Sequence, residues 1–407
     1  MLVNIIVIGG GASGMVAAIT AARRGASVTI LERMSTCGKK ILVTGNGRCN
    51  YYNEVVNIDF YNSTKKNILK TIINDKNNTL VQKFFSSIGI IPRIKDGYYY
   101  PYSNQAVTIL NALKEEIQNL DIKVVLDYKV TSIKKINGEF IINDDNCYKA
   151  SKVIVASGGY AYYKEDEVNS YKLVNNHKII KPLPALVQLK IDSPITKKWA
   201  GVRNYAMLSL YINDKYIARE TGEIMLTNYG LSGICAMQLS GECARAIDEG
   251  KKVEIVINFV PELAKTESEM EKFLESYNMS IKKRTIGQLL DNMLNYKLSN
   301  IISASYKDKY YNNLSSFEKK QIISRLIEYK VRINGTNPFK EAQVTTGGVS
   351  LEEININTME SLKQKNLYII GELLDVDGKC GGYNLGFAWI SGILAGISSS
   401  GGEKWLD

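Results

Sequence analysis

An α/β fold built on a parallel sheet is predicted by three stretches of the chain. Near the amino terminus an apolar run, Val3 to Ile8, breaks into Gly9-Gly10-Gly11-Ala12-Ser13-Gly14 and continues as a small-residue segment ending near Arg24. In the middle, Val153-Ile154-Val155-Ala156 is apolar without interruption, as a strand buried on both faces should be, and ends in Ser157-Gly158-Gly159. Near the carboxyl end, Leu367-Tyr368-Ile369-Ile370 runs into Gly371-Glu372 and a second glycine loop before a helix at Tyr383. Strand, glycine loop and helix thus recur at both ends of the chain.

The first stretch reads as strand, turn and helix. Gly9, Gly11 and Gly14 fit G-x-G-x-x-G, in which one glycine turns the chain, one lets a pyrophosphate approach the backbone, and one lets helix and strand pack closely. Ala12 and Ser13 open the helix, whose N-terminal amides then face phosphate. After Gly25 the run Ser27 to Leu31 reads as a second parallel strand, closed by Glu32 and Arg33, with the Glu32 carboxylate placed to accept ribose hydroxyls. Together these predict a bound dinucleotide.

The loop Gly38-Lys39-Lys40 through Gly45-Asn46-Gly47-Arg48-Cys49-Asn50 leaves that second strand toward the carboxyl ends of the strands, where ligands collect in open α/β sheets. Lys39, Lys40 and Arg48 are therefore candidates to meet phosphate or an electron-rich ring. Residues 64–90 read as packing helices, with Ile68, Leu69, Ile72 and Ile73 on one face and Leu80, Val81, Phe84 and Phe85 on another. Tyr98 to Tyr102 is an aromatic cluster suited to a pocket wall or to the core, ahead of an amphipathic helix around Leu110 and Leu113. From Ile122 the period falls to two, predicting strands at 123–126 and 129–135, a turn at Asn137-Gly138, a strand at 139–143 and a return to the main sheet at 152–156.

Between residues 187 and 341 no further nucleotide signature occurs. Strand-like runs at 207–212, 216–219, 224–227 and 253–260 flank a helical segment at 232–249, and residues 262–330 are charged and helical in pattern, with Leu289, Leu290, Met293 and Leu294 as core candidates. The division expected is 1–186 and 342–407 for the dinucleotide domain, 187–260 for an inserted β-rich domain and 261–341 for an inserted helical subdomain. With no second G-x-G-x-x-G, a dedicated nicotinamide-nucleotide domain is not expected.

Composition narrows the function. The 407 residues allow two to three domains with a sizeable core. Cysteines at 37, 49, 147, 235, 243 and 380 contain no C-x-x-C, so neither a zinc site nor a disulfide framework is indicated, and a reducing cytoplasm is the expected compartment. The net charge of +10 is spread along the chain without a basic block, which argues against nucleic acid as the partner. Ile5 to Ala22 belongs to the glycine motif and is not expected to be an export signal, and Phe387 to Ile397 is too short and glycine-broken to span a bilayer. The single histidine, His177, is expected to pack and not to catalyse.

Gly38-x-Lys40 through Thr44-Gly45-x-Gly47-Arg48-Cys49-Asn50, Gln343-Val344-Thr345-x-Gly347-Gly348-Val349, and Gly371-Glu372-x-Leu374-Asp375-x-x-Gly378-x-x-Gly381-Gly382-Tyr383-Asn384-Leu385 resemble one bacterial FAD-dependent oxidoreductase family. That family contains the bile-acid dehydroreductase BaiN and aminoacetone-oxidase-like flavoproteins. The likeness extends to Pro184-Ala185-Leu186-Val187 and Tyr229-Gly230-Leu231-Ser232-Gly233. It implies a glutathione-reductase-like Rossmann FAD domain interrupted by a β-barrel and a helical cap. Two features depart from the family's pattern. Tyr160 to Tyr171 is acidic and aromatic where relatives carry a glycine-rich Ser/Thr stretch, and Asn228 stands where they often carry histidine.

Carried over to matching positions, the resemblance implies that Gly9 to Gly14 hold the FAD pyrophosphate, Glu32 and Arg33 the adenosine, and Val130 the adenine through its backbone. Asp377 would reach the ribityl or phosphate region. Gly45 to Asn50 and Tyr383 to Leu385 would approach the isoalloxazine, with Gly371, Glu372 and Gly382 in the same loops, and Ala156 and Gly158 would line the cavity. Amides at the start of the last helix are expected to face the flavin N1 and O2 edge, and FAD is expected to be held non-covalently. The function implied is hydride transfer through flavin N5 on a small organic substrate, with NAD(P)H as a candidate transient electron donor. Oxidation of an amine by oxygen and a flavin-carrying RNA-binding or RNA-modifying role are the alternatives. Catalytic acid or base, substrate and oligomeric state stay open, and no metal is expected.

Overall fold

The computed structural model describes residues 3–143, 148–163, 170–280 and 284–401. Cys147 and residues 164–169 of the aromatic stretch lie outside these. The chain divides into two compact units, one formed by residues 1–182 with 344–407 and the other by 183–343.

The first unit is built on a parallel sheet. Strand β1 (Asn4–Ile8) leads into helix α1 (Ala12–Arg23) and strand β2 (Ser27–Leu31), followed later by β3 (Lys123–Val125) and β4 (Lys152–Val155). β1 lies between β2 and β4, with Ile8 opposite both Leu31 and Val155; β3 flanks β2, and the strand Leu367–Ile369 flanks β4. All four pairings are parallel. Two short antiparallel strands, Glu360–Ser361 and Ile354–Asn355, finish the far edge. β1 and β4 are almost wholly buried, which is why their sequences do not alternate.

The last helix, Tyr383–Ser400, crosses α1 closely because it presents glycines there. A Cβ on Gly392 would lie 2.6 Å from the Ser13 carbonyl oxygen, and one on Gly396 would lie 2.7 Å from that of Ala17. The helices Lys66–Ile72 and Asp75–Ser87 bury Leu69, Ile72, Val81, Phe84 and Phe85, and Phe85 meets Trp389 of the last helix edge-on at 5.1 Å. No helix among the described residues is long and apolar enough to cross a membrane.

The meander differs in one respect from its sequence pattern. Ile133–Ile136, Glu139–Ile142 and Tyr148–Ala150 form a separate three-stranded sheet, turning at Asn137 and Gly138, both with positive φ. Residues 129–132 alternate like a strand but do not pair. The Asn143 side chain accepts from the Thr131 and Ser132 amides and donates to the Lys129 carbonyl, taking the place of a ladder. His177 is buried, with Nε2 2.7 Å from Ser361 Oγ and a pKa lowered by burial.

The second unit centres on a long hairpin, Val202–Ile212 with Lys215–Leu226, in a seven-stranded sheet. The two runs expected at 216–219 and 224–227 are one strand: Glu220, Thr221 and Gly222, which look like a turn, pair with Leu208, Met207 and Ala206. Helices cover Ile234–Gln238, Ser240–Asp248, Glu267–Ser280, Ile286–Asp291, Tyr296–Ser303 and Ser316–Ile327. Capping boxes start two of them, Thr285 with Gln288 and Ser315 with Glu318. Strand residues Leu208, Leu210 and Ile255 share one core with helix residues Leu289, Leu290, Ile323 and Leu326.

Candidate functional site

The parallel strands bring the first-stretch residues together. Gly9 N–H donates to the Leu31 carbonyl and Ala156 N–H to that of Ile8, both at 2.8 Å, so Gly9, Glu32 and Ala156 stand side by side at the carboxyl ends of β1, β2 and β4. The glycines of the turn then separate by environment. A Cβ on Gly14 would sit 1.9 Å from the Gly9 carbonyl oxygen, one on Gly9 2.5 Å from that of Ala156, and one on Gly10 2.3 Å from Cys37 Sγ. A Cβ on Gly11 would meet nothing within 4 Å. Three of these glycines are thus required by packing, and Gly11 faces open space.

Gly11 is the N-cap of α1, with no side-chain cap and no acid in the first turn. The helix start therefore offers amide donors and the positive end of its dipole to that space, a donor set that fits an anion such as a pyrophosphate. Beside it the Glu32 carboxylate is 8 % exposed; one oxygen accepts Gly10 N–H at 2.7 Å and the other Met34 N–H at 2.8 Å. Two amides fix its orientation, and each oxygen keeps a further lone pair. In the turn after β4, Ser157 Oγ is buried without a hydrogen-bond partner, and a Cβ on Gly158 would meet nothing. An open cradle, an orphaned hydroxyl and a fixed carboxylate together fit the dinucleotide half of FAD. Val130 is buried in the core of the same unit, in the irregular segment after β3.

The loop after β2 is arranged differently. Gly45 and Asn46 adopt left-handed conformations and break the helical turn Ile41–Gly47, leaving Gly45, Gly47 and Arg48 exposed while Cys49 and Asn50 are buried. The Arg48 guanidinium lies 5.6 Å from the Tyr100 ring centroid. Burial pushes the Cys49 thiol up to about 12, so it stays protonated at ordinary pH. The Asn50 amide donates to the carbonyls of Tyr52 and Tyr99. Cys49 and Asn50 therefore anchor the loop. Lys40 reaches across to Glu372, Nζ to Oε2 at 3.0 Å.

At the return end Gly371 has φ +68, and a Cβ there would strike Ser13 Oγ at 2.5 Å, which packs the turn onto α1. Glu372 Oε1 accepts Thr345 N–H at 2.8 Å. Asp377 is buried and accepts from Asn62 Nδ2 at 3.0 Å, while the neighbouring buried Asp375 accepts Thr64 N–H at 2.8 Å. The Asn384 side chain clasps Gly378, accepting its N–H at 2.8 Å and donating to its carbonyl at 2.7 Å. Gly382, the N-cap of the last helix, has φ +91, and a Cβ on it would lie 2.9 Å from the Tyr52 main chain. Tyr383 is buried against Tyr61 and Phe60, with its hydroxyl pushed up to about 12 by burial, and Leu385 is half-buried.

Thr345, Ser157, Asn62, Tyr162 and Tyr163 join this end of the sheet without having been singled out for a role. Thr345 lies inside a motif visible in the sequence, but its partners come from distant segments.

The family model described as "HI0933-like protein Rossmann domain" matches residues 3–398. The chain belongs to this family. Among curated members it is 35 % identical over 406 residues to the 3-dehydro-bile acid delta(4,6)-reductase of Clostridium scindens, with 97 % of this chain and 98 % of that protein covered. It is 26 % identical to the ribosomal RNA dihydrouridine synthase of Haemophilus influenzae, covering 97 % and 98 % of the two chains, and 27 % identical to that of Escherichia coli, covering 95 % of each. As a member of the HI0933-like family with full-length likeness to a named reductase, the chain is an enzyme, an oxidoreductase.

Proposed function

We propose that this HI0933-like protein is an FAD-dependent reductase of a carbon–carbon double bond conjugated to a carbonyl group in a small organic substrate. The observation that carries the cofactor is the open, uncapped start of α1 at Gly11, bordered by the amide-fixed carboxylate of Glu32. When bound, FAD supplies hydride transfer through N5. The chain's residues supply binding and orientation. Gly9 to Gly14 hold the pyrophosphate, Glu32 and Arg33 the adenosine, the Val130 backbone the adenine, and Asp377 the ribityl region. Ala156 and Gly158 line the cavity, and Gly45 to Asn50 with Tyr383 to Leu385 border the isoalloxazine. Attachment is non-covalent, since His177 is buried against Ser361 and Cys49 is a buried neutral thiol. The inserted segment is read as a β-rich domain over 187–260 and a helical subdomain over 261–341, although the strands Tyr329–Arg332 and Gly335–Thr336 of the latter pair into the seven-stranded sheet.

The reaction type is supported by the relatives' names, since a delta(4,6)-reductase and a dihydrouridine synthase have saturation of a double bond in common. That favours reduction over oxidation of an amine. Anaerobic stopped-flow mixing with NADH and with NADPH should bleach the flavin band at about 450 nm, and a conjugated 3-oxosteroid should restore it. A flavin that neither cofactor reduces, but that an amine reduces and oxygen reoxidises, would reverse the assignment.

A second reading has its own support. Two relatives are ribosomal RNA dihydrouridine synthases, and the chain carries a net charge of +10. It requires salt-dependent affinity for RNA, strongest at low ionic strength. Failure to bind a ribosomal RNA fragment at about 50 mM salt removes it.

A further inference from the structure

The turn after β4 adds an aromatic arch to the carboxyl end of the sheet, in the stretch where the sequence departs from its family's glycine-rich pattern. Tyr160 and Ala161 both donate their amides to Thr345 Oγ1, at 2.9 and 3.1 Å. Thr345 N–H donates in turn to Glu372 Oε1, and Glu372 Oε2 pairs with Lys40. Lys40 Nζ lies 5.5 Å from the ring centroid of Tyr162 and 5.9 Å from that of Tyr163. The Arg33 guanidinium carbon lies 4.1 Å from the Tyr163 centroid. The contacts form a closed circuit through four separate segments.

Two features show that the circuit is specified. A Cβ on Gly159 would lie 2.4 Å from Thr345 Oγ1, so the turn can reach its anchor only as glycine. Tyr162 has φ +71, a conformation that L side chains adopt only when the surroundings impose it. Through Tyr163 the circuit also reaches Arg33, which directly follows the Glu32 carboxylate bound to Gly10 N–H in the dinucleotide turn. A guanidinium held against an aromatic face is attracted to the ring and loses little further freedom on meeting an anion.

We propose that Tyr163, anchored through Thr345, is a positioning residue that presets Arg33 for the adenylate half of FAD. The inference rests on the FAD reading above. In reconstitution titrations of the apoprotein with FAD, followed by flavin fluorescence, Tyr163→Ala should raise the FAD Kd on the order of tenfold and speed FAD release. Tyr163→Phe, which keeps the ring, should restore wild-type binding. Thr345→Val, which removes the hydroxyl anchor, should shift binding in the same direction as Tyr163→Ala. Arg33→Met should match Tyr163→Ala, and the double variant should add little to either, because both remove one interaction. Wild-type affinity in Tyr163→Ala, failure of Tyr163→Phe to restore binding, or additive losses with Arg33→Met would each overturn the inference while the FAD reading stands. A wild-type protein that binds no FAD overturns both.

Discussion

Two helices of the first unit begin at glycines, α1 after Gly11 and the last helix after Gly382, and sequence makes them look alike. Neither has a side-chain cap or an acid in its first turn. Their glycines have opposite surroundings. A Cβ on Gly11 would enter open space, whereas one on Gly382 would meet the main chain of Tyr52, and one on Gly381 the ring of Tyr98 at 2.7 Å. At the first helix the missing side chain leaves room for a ligand; at the second it lets the protein pack on itself. A glycine loop before a helix is therefore not by itself a binding site, and what a Cβ would touch decides between the two uses.

The sharpest way to break this contrast is inside the first turn. Gly14→Val places a side chain 1.9 Å from a main-chain oxygen and should abolish cooperative folding, read by circular dichroism on heating. Gly11→Val, with an extended backbone and no neighbour to strike, should melt within about 0.5 kcal/mol of wild type yet purify colourless. A yellow Gly11→Val protein with wild-type FAD affinity would show that the open space is not the cofactor's.

Next in size is Glu32→Ala. It removes the charged acceptor proposed for the ribose, worth about 1.5 to 3 kcal/mol, and leaves the Gly10 and Met34 amides without their partner. FAD should dissociate readily and the melting temperature should fall, so affinity and stability are both measured. Unchanged affinity would move the ribose elsewhere.

Gly382→Ala should act mainly on stability, by about 1 to 2 kcal/mol for a left-handed alanine and more from the contact with Tyr52, while FAD affinity changes less. If affinity falls more than stability, Gly382 itself serves the ligand as well as the junction with Tyr52. Gly382→Pro cannot adopt φ +91, so a changed flavin potential in that variant would report a disrupted junction and not a lost amide. The smallest effect is expected at Gly158, where φ +72 costs an alanine about 1 kcal/mol but nothing is struck. Thermal melts of Gly158→Ala should show this, with a smaller loss of FAD affinity than in Gly11→Val because a single methyl enters the cavity.

Much of the first unit could be read from the chain because its signals are local. The glycines from 9 to 14, the uninterrupted apolar runs of β1 and β4, and Glu32 at the end of β2 each follow from a few neighbouring residues. Parallel pairing then forces them to one edge, since Ile8, Leu31 and Val155 share a register. The helices Glu267–Ser280, Ile286–Asp291, Tyr296–Ser303 and Ser316–Ile327 were legible for the same reason, whereas the strand Tyr329–Arg332 at the end of that stretch was not. Where a local pattern had a distant competitor it misled: residues 129–132 alternate like a strand, but the Asn143 side chain takes their hydrogen bonds, and Glu220 to Gly222 resemble a turn until an opposite strand pairs with them.

By itself, then, the sequence determined the strand–turn–helix at the amino terminus, the acid beside it and the family, because each is written in contiguous residues. Only the tertiary structure decided which glycines face open space and which face the protein. It alone showed that Cys49 and Asn50 anchor their loop, and that Thr345, Glu372, Lys40, Arg33 and Tyr163 form one circuit. These properties depend on what lies within a few ångströms across hundreds of residues of chain, and spacing along the chain carries no record of that distance.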